Sequence, residues 1–366
     1  MKNKGYLFIC ALYPLFLILD AFVFNLGSFS SWLNDEHHIT NRVYPQILSS
    51  LLVIFILPWI KVTSRLNKGW LLIIIFILIH FLLFSSKSIF FCITLILNLI
   101  FSYYLISNRN RYLGFNTLLI SYTTISLLIM LYRLFYLGRP AIELRASINI
   151  WGGIDLVSLW ILKFILDLKV NRTNNLLPLH FAFILSLLYI SRTGVGICLV
   201  LYLLNVKKIK RKSLVYISVV LCTFFYIFYE YFEIVLTRFE IITINTLTES
   251  RGYIWNEANK IINNNPYGIG LSNYKNVSVL GFSNPHNILL DIFINFGIFF
   301  GSLLIIILFV NPIIQAIQNK KIILMASFLI WLMGMYIGGV VLFQVGGIIS
   351  FFTFIGLSVL INSSDD

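Results

Sequence analysis

The sequence predicts an all-α polytopic integral membrane protein with about 12 transmembrane helices, and three observations carry the prediction. The first is composition: 59% of the 366 residues are hydrophobic and 11% are charged. Soluble domains are roughly 25% charged. The second is continuity. Apolar runs extend over 14 to 24 residues without the alternation of a barrel strand, and a bilayer accepts only helices or closed barrels as spanning backbone. The third is the placement of Lys and Arg, which cluster in every second loop.

Taken in order, the apolar runs predict spans at 6–27, 45–60, 69–85, 88–107, 113–136 and 152–168. Six more follow at 175–190, 193–206, 213–230, 287–310, 322–339 and 342–361. The first run follows Met-Lys-Asn-Lys without a small-residue cleavage site, so it reads as a span rather than a removed signal. With the N-terminus in the cytoplasm, 16 of the 27 Lys and Arg residues fall in cytoplasmic segments and 9 in external ones. That bias fixes both termini inside. Cys10, Cys92, Cys198 and Cys222 all lie within spans, which leaves no disulfide framework or zinc spacing. The net charge of +13 resides in short loops, so membrane lipids rather than nucleic acid are the expected partners.

The chain therefore reads as one membrane domain, 1–366, with a large external loop at 231–286. Cytoplasmic loops are too short for a nucleotide domain, and no Walker-type phosphate loop occurs. Chemistry, if present, faces outward. A loop of this length is expected to contain helices of its own. Glu249–Ile262 predicts an amphipathic helix with Ser250 as N-cap and Ile254, Trp255, Ala258, Ile261 and Ile262 on its apolar side. Asn265-Pro266 ends it, and Gly268 and Gly270 mark a tight backbone.

At the loop's exit, Asn284 predicts an N-cap and Pro285 the first helical residue, which would put His286 at the second position. Free N–H groups and the positive helix end would then gather an anion there. A capped helix with an incidental His fits the same residues. Asp291 follows Asn287 by four residues and could orient it, its carboxylate open to structural or catalytic use, and Gly297-x-x-x-Gly301 reads as a close-packing face.

Arg192 opens a helix at the outer surface, against the helix dipole and without benefit from the inside rule. An anion would relieve that cost; so would snorkelling to lipid phosphates. Arg251 also begins an external helix, where Glu249 or Glu257 offers a pairing partner. Arg139, Arg145 and Arg238 complete an external cationic set. Guanidinium groups suit a diphosphate, and a neutral His286 or Glu249 could take a proton from a sugar hydroxyl. Asp35, Glu36, His37 and His38 cluster on a short polar loop that reads as solvated, and no metal site is expected.

Ser191-Arg192, Arg251 with Trp255, Asn265-Pro266-x-Gly268-x-Gly270 and His286-Asn287 followed by Gly297 and Gly301 resemble, in that order, the O-antigen ligase and O-antigen polymerase superfamily. The likeness centres on roughly 150–305; the first 130 residues are similar only in hydropathy. The resemblance implies a GT-C-like, metal-independent, inverting glycosyltransferase without a cofactor, acting at the periplasmic face of the bacterial inner membrane. Its donor would be an undecaprenyl-diphosphate-linked oligosaccharide. Arg192 and Arg251 would hold the diphosphate, with Arg145, Arg139 and Arg238 as further candidates, and His286 or Glu249 would assist the acceptor hydroxyl. The acceptor would be the next lipid-linked repeat unit for a polymerase, or lipid A–core for a ligase. The short chain leans the reading to polymerase, with a chain-length regulator as a partner. A flippase is the alternative from another class, and it would need functional charges inside spans; Asp20, Arg133, Asp155 and Lys163 are the candidates, Asp20 and Lys163 foremost.

Overall fold

A computed structural model describes residues 5–14, scattered positions between 54 and 105, 113–136, 153–169, 175–188, 191–205, 218–219 and 222. It further describes 244–270, 274–279, 285, 287–318 and 322–338. The described regular structure is helical throughout. We number the helices α1 (Gly5–Pro14), α2 (Leu113–Tyr136), α3 (Gly153–Lys169), α4 (Leu177–Leu188), α5 (Arg192–Leu204) and α6 (Ile244–Asn264). Then come α7 (Tyr274–Val277), α8 (Ile288–Ile305), a π-helical turn (Ile306–Val310), α9 (Asn311–Gln318) and α10 (Ile322–Gly338).

Five of these coincide within a few residues with apolar runs expected to be spans, although among the described residues only Ile288–Ile305 is both long and apolar enough to cross a membrane. The five are α2, α3, α4, α5 and α10. The expected spans at 45–60, 69–85, 88–107, 213–230 and 342–361, and most of 6–27, lie outside the continuously described residues. So does the Asp35–His38 cluster.

The chain divides into two compact units. The first comprises Met1–Leu127, Ala258–Pro312 and Val341–Asp366. In it the Ser121 hydroxyl donates to the Ala11 carbonyl oxygen at 2.6 Å, tying α1 to α2. The rings of Tyr13 and Phe101 meet at 4.7 Å.

The second unit comprises Leu128–Glu257 and Ile313–Val340. There α3, α4 and α5 pack in succession, and α10 lies against α3 and α5. The Trp331 indole N–H, fully buried, donates to the Ser158 hydroxyl at 2.7 Å. Lys163 donates to Asp167 Oδ1 at 2.7 Å, and Asn175 Nδ2 donates to Asp167 Oδ2 at 2.9 Å. Lys163, flagged by the sequence as a misplaced span charge, is thus engaged by Asp167 of its own helix, and Asp167 is held in turn by Asn175, just before α4. A buried carboxylate with two donors is a structural solution to its own desolvation.

Candidate functional site

Two corners concentrate the polar features. The first joins α4 to α5. The Ser191 N–H donates to the Ser186 carbonyl at 2.8 Å, which extends the α4 turn to the corner. The Ser191 side chain then accepts from the Gly194 N–H at 3.2 Å, an N-cap that places Arg192 at the first helical position. A Cβ on Gly194 would lie 2.9 Å from the Ser186 Cβ and 3.0 Å from Val157, so the close approach of α3, α4 and α5 excludes a side chain. The expected first-turn cation therefore stands on a rigid corner, opposed to the helix dipole. Deeper in the same pair of helices, His180 Nδ1 and the Tyr202 hydroxyl meet at 2.6 Å.

The second corner lies in the first unit from Ala258 onward, and α6 up to Glu257 belongs to the second unit. Helix α6 begins at Ile244, so Ser250 lies inside it and is not its N-cap. Thr and Asn near its start are weak helix formers, which disguised the first turn in the sequence. The apolar side is as expected. Ala258, Ile261 and Ile262 are buried with Tyr274 and Ile294, and Ile269, Leu290 and Phe293 pack against them. The end is as expected too: the Asn265 N–H bonds Ile261 and Ile262 carbonyls, and Pro266 cannot continue the helix. A turn follows, closed by the Gly268 N–H on the Asn265 carbonyl at 2.9 Å.

That turn docks onto α8 at a break. Gly297 has φ 76° and ψ 174°, outside the helical region. In a straight helix the Ile298 N–H would reach the Ile294 carbonyl. Here the Ile298 N–H donates to the Pro266 carbonyl at 2.9 Å, while the Ile294 carbonyl accepts from the Ile269 N–H at 2.9 Å. The Gly270 N–H serves the Asn295 carbonyl at 3.2 Å. Three of the backbone groups that the break frees are thus met by the loop. Gly268, also at positive φ (87°), faces Gly297 so closely that its Cβ would lie 2.6 Å from the Gly297 nitrogen. A Cβ on Gly297 would in turn strike Pro266 and Tyr267 backbone atoms. The Gly297-x-x-x-Gly301 pattern is close-packed as expected, but Gly297 packs against a loop at a helix break.

The start of α8 also differs from expectation. Its N-cap is Asn287, whose side-chain oxygen accepts from the Leu289 N–H at 3.0 Å and the Leu290 N–H at 3.2 Å. The helix therefore starts at Ile288, not at Pro285 behind an Asn284 cap as expected. The two N–H groups are spent on the cap, so they are not a ready-made anion cradle. Asp291 occupies the first turn, favourably placed toward the positive helix end. Its carboxylate accepts from Asn295 Nδ2 at 3.0 Å, and that amide also donates to the Asp291 carbonyl at 2.8 Å. Asn287, Asp291 and Asn295 are all buried, four residues apart on one face of the half-helix.

Of the residues expected at the site, Arg192 and Glu249 have their backbones described, at the start of α5 and inside α6. Arg251 is half-buried on α6. His286, Arg139, Arg145 and Arg238 lie outside the described residues. The Asp291–Asn295 pair and the Gly268–Gly297 contact were not read as partners in the sequence. The spacing of four was the available signal for the first, whereas the second joins residues 29 positions apart.

The regular structure of the described residues is all-helical, with polar side chains held at capped helix starts and one helix, Ile288–Ile305, long and apolar enough to cross a membrane. That defines the class, an all-helical protein. Residues 180–306 match the family described as O-antigen ligase, and this match supports the O-antigen polymerase and ligase superfamily for the chain. The matched segment begins on α4 and ends just past α8, so it contains both corners. No curated protein and no solved structure matches the chain.

Proposed function

We propose that the protein is a glycosyltransferase of surface-polysaccharide assembly, a polymerase that moves an undecaprenyl-diphosphate-linked glycan onto the next lipid-linked repeat unit. The observation that carries the reading is the family match at 180–306, which encloses Arg192 on its capped corner and the Asn287 helix start. In this reading the chain has about 12 spans in a GT-C-like arrangement, in the bacterial inner membrane with both termini cytoplasmic. The 231–286 loop is periplasmic. Arg192 and Arg251 hold the donor diphosphate, with Arg145, Arg139 and Arg238 lining its approach. The acceptor hydroxyl oxygen bonds the donor's anomeric carbon as the carbon–diphosphate oxygen bond breaks, with inversion. The hydroxyl proton passes to His286 or Glu249, and undecaprenyl diphosphate leaves with its charge met by the arginines. The step uses no metal. A chain-length regulator is the expected protein partner.

The description of the matching family favours a second reading, an O-antigen ligase whose acceptor is lipid A–core. A flippase finds no support: Lys163, a span charge that a transporter would use, is engaged by Asp167. Deletion of the gene followed by separation of the glycolipids tests all three. A single repeat left on lipid A–core with the ladder lost supports the polymerase. Polymer retained on the carrier lipid with bare core supports the ligase, and an unchanged ladder contradicts both.

A further inference from the structure

The sequence places a span at 287–310, and by length and composition Ile288–Ile305 can cross a membrane. The side chains divide it differently. From Ile288 to Phe296 none is exposed. Immediately past Gly297 the pattern inverts: Phe296 is 0% exposed and Phe299 is 72% exposed. Phe299, Leu303, Ile306, Val310, Ile314 and Ile317 are all exposed, recurring every three or four residues. That is one continuous helical stripe of large apolar side chains.

We infer that the membrane span in this part of the chain begins at Ile298 and runs to Gln318, its stripe facing lipid acyl chains. Ile288–Phe296 is then a half-helix of the external module rather than the upper part of the span. This inference rests on the membrane reading given under the proposed function and deepens it.

Four observations carry it. Nine residues reach roughly 14 Å, less than half of a hydrocarbon core of about 30 Å, whereas Ile298–Gln318 is helical throughout and reaches roughly 31 Å. The half-helix buries its apolar side chains, Leu290, Phe293 and Ile294, against α6, whose other face carries Glu257 and Lys260. An amphipathic helix of that kind does not enter hydrocarbon. The chain also turns sharply at Gly297: a Cβ on Gly301 would lie 2.8 Å from the Phe293 ring and 3.4 Å from the Ile292 carbonyl oxygen. Residues eight or nine apart in a straight helix are separated by about 12 Å or more along its axis. Finally, Lys320 and Lys321 follow a 298–318 span at once, as cytoplasmic anchors should. A 287–310 span would leave exposed Ile314 and Ile317 in water before reaching them.

The π turn fits the longer register. Pro312 has no N–H and its ring would press on the carbonyl four residues earlier, and the widened Ile306–Val310 turn accommodates it within one helix. The consequence is a change of depth for the polar face. Asn287, Asp291 and Asn295 sit at headgroup level, where the diphosphate of a carrier lipid emerges, and a buried carboxylate no longer lies in hydrocarbon. Gly268 and Gly297 act as positioning residues that hold this half-helix off the bilayer core.

The test is depth measured by nitroxide labels at Leu290, Phe299, Ile306 and Ile317, one at a time, by oxygen and nickel-chelate accessibility in liposomes. The four native cysteines are replaced first, in a background whose glycan ladder matches the wild type. Ile306 is expected to be deepest, Phe299 and Ile317 near opposite boundaries, and Leu290 without lipid contact. Phe299 deepest with Ile317 in water overturns the register and leaves the membrane reading standing. No label in lipid at any position overturns both. If labelling perturbs the protein, Phe299→Trp and Ile306→Trp replace it, read by quenching with lipids brominated at the chain centre. Stronger quenching at position 306 supports the register, and stronger quenching at 299 overturns it.

Discussion

The two corners enclosed by the family match are both N-capped helix starts, yet their electrostatics are opposite. At Asn287 one side chain takes two N–H groups, and Asp291 supplies the negative charge that a positive helix end favours. That corner meets its own helix end, while one turn on the buried Asn295 Oδ1 accepts no hydrogen bond among the described residues. At Ser191 the cap takes one N–H, and the next residue is Arg192, a cation where the dipole disfavours one. The contrast teaches where to look for an anion. A self-satisfied helix start has a structural explanation, and a mismatched one calls for a ligand that reverses the sign.

The largest effect is expected for Arg192→Ala. Loss of charge-assisted hydrogen bonds to a diphosphate, about 1.5–3 kcal/mol each, should reduce glycan transfer by roughly 10–150-fold per bond. Lys in its place should restore only part, since an ammonium cannot grip two oxygens in one plane. The ladder on a silver-stained gel and transfer with purified protein both measure it. Gly297→Ala comes next, as an effect on folding. Positive φ costs about 1–3 kcal/mol before the clash with Pro266 and Tyr267 is counted. Its readout is the detergent-solubilised melting temperature and the yield of folded protein. Ile294→Ala, which opens a void between α6 and the half-helix, should cost about 2–5 kcal/mol in the same assay. Asn287→Ala should cost about 1 kcal/mol by loss of the cap. Transfer by that variant should fall little if the corner is structural; a loss as large as that of Arg192→Ala would erase the contrast between the corners.

How much of this was legible in the sequence follows from the range of each interaction. Helices such as α2 and α5 are written in local runs of Leu, Ile and Phe, and Arg192 at a helix start was legible for the same reason. The break at Gly297 was not, because a glycine in an apolar run reads equally as close packing. Its reason is the loop at Pro266–Gly270, whose backbone supplies the missing bonds from far away in the chain. The N-cap was displaced by three residues from Asn284 to Asn287 because both positions offer an Asn, and Pro285 suits either a first helical turn or the segment before one. Asp291 was noticed for its spacing from Asn287, but the partner its side chain found is Asn295, one turn further on.

The central claim is that Arg192 on its mismatched corner binds the carrier diphosphate while the Asn287 corner serves the fold. Binding of a synthetic polyprenyl-diphosphate oligosaccharide to purified protein, titrated for the wild type, Arg192→Ala and Asn287→Ala, tests it most directly. The account predicts affinity about 10–150-fold weaker for Arg192→Ala and within about threefold of the wild type for Asn287→Ala. Wild-type affinity in Arg192→Ala, with binding lost in a folded Asn287→Ala protein, would contradict it.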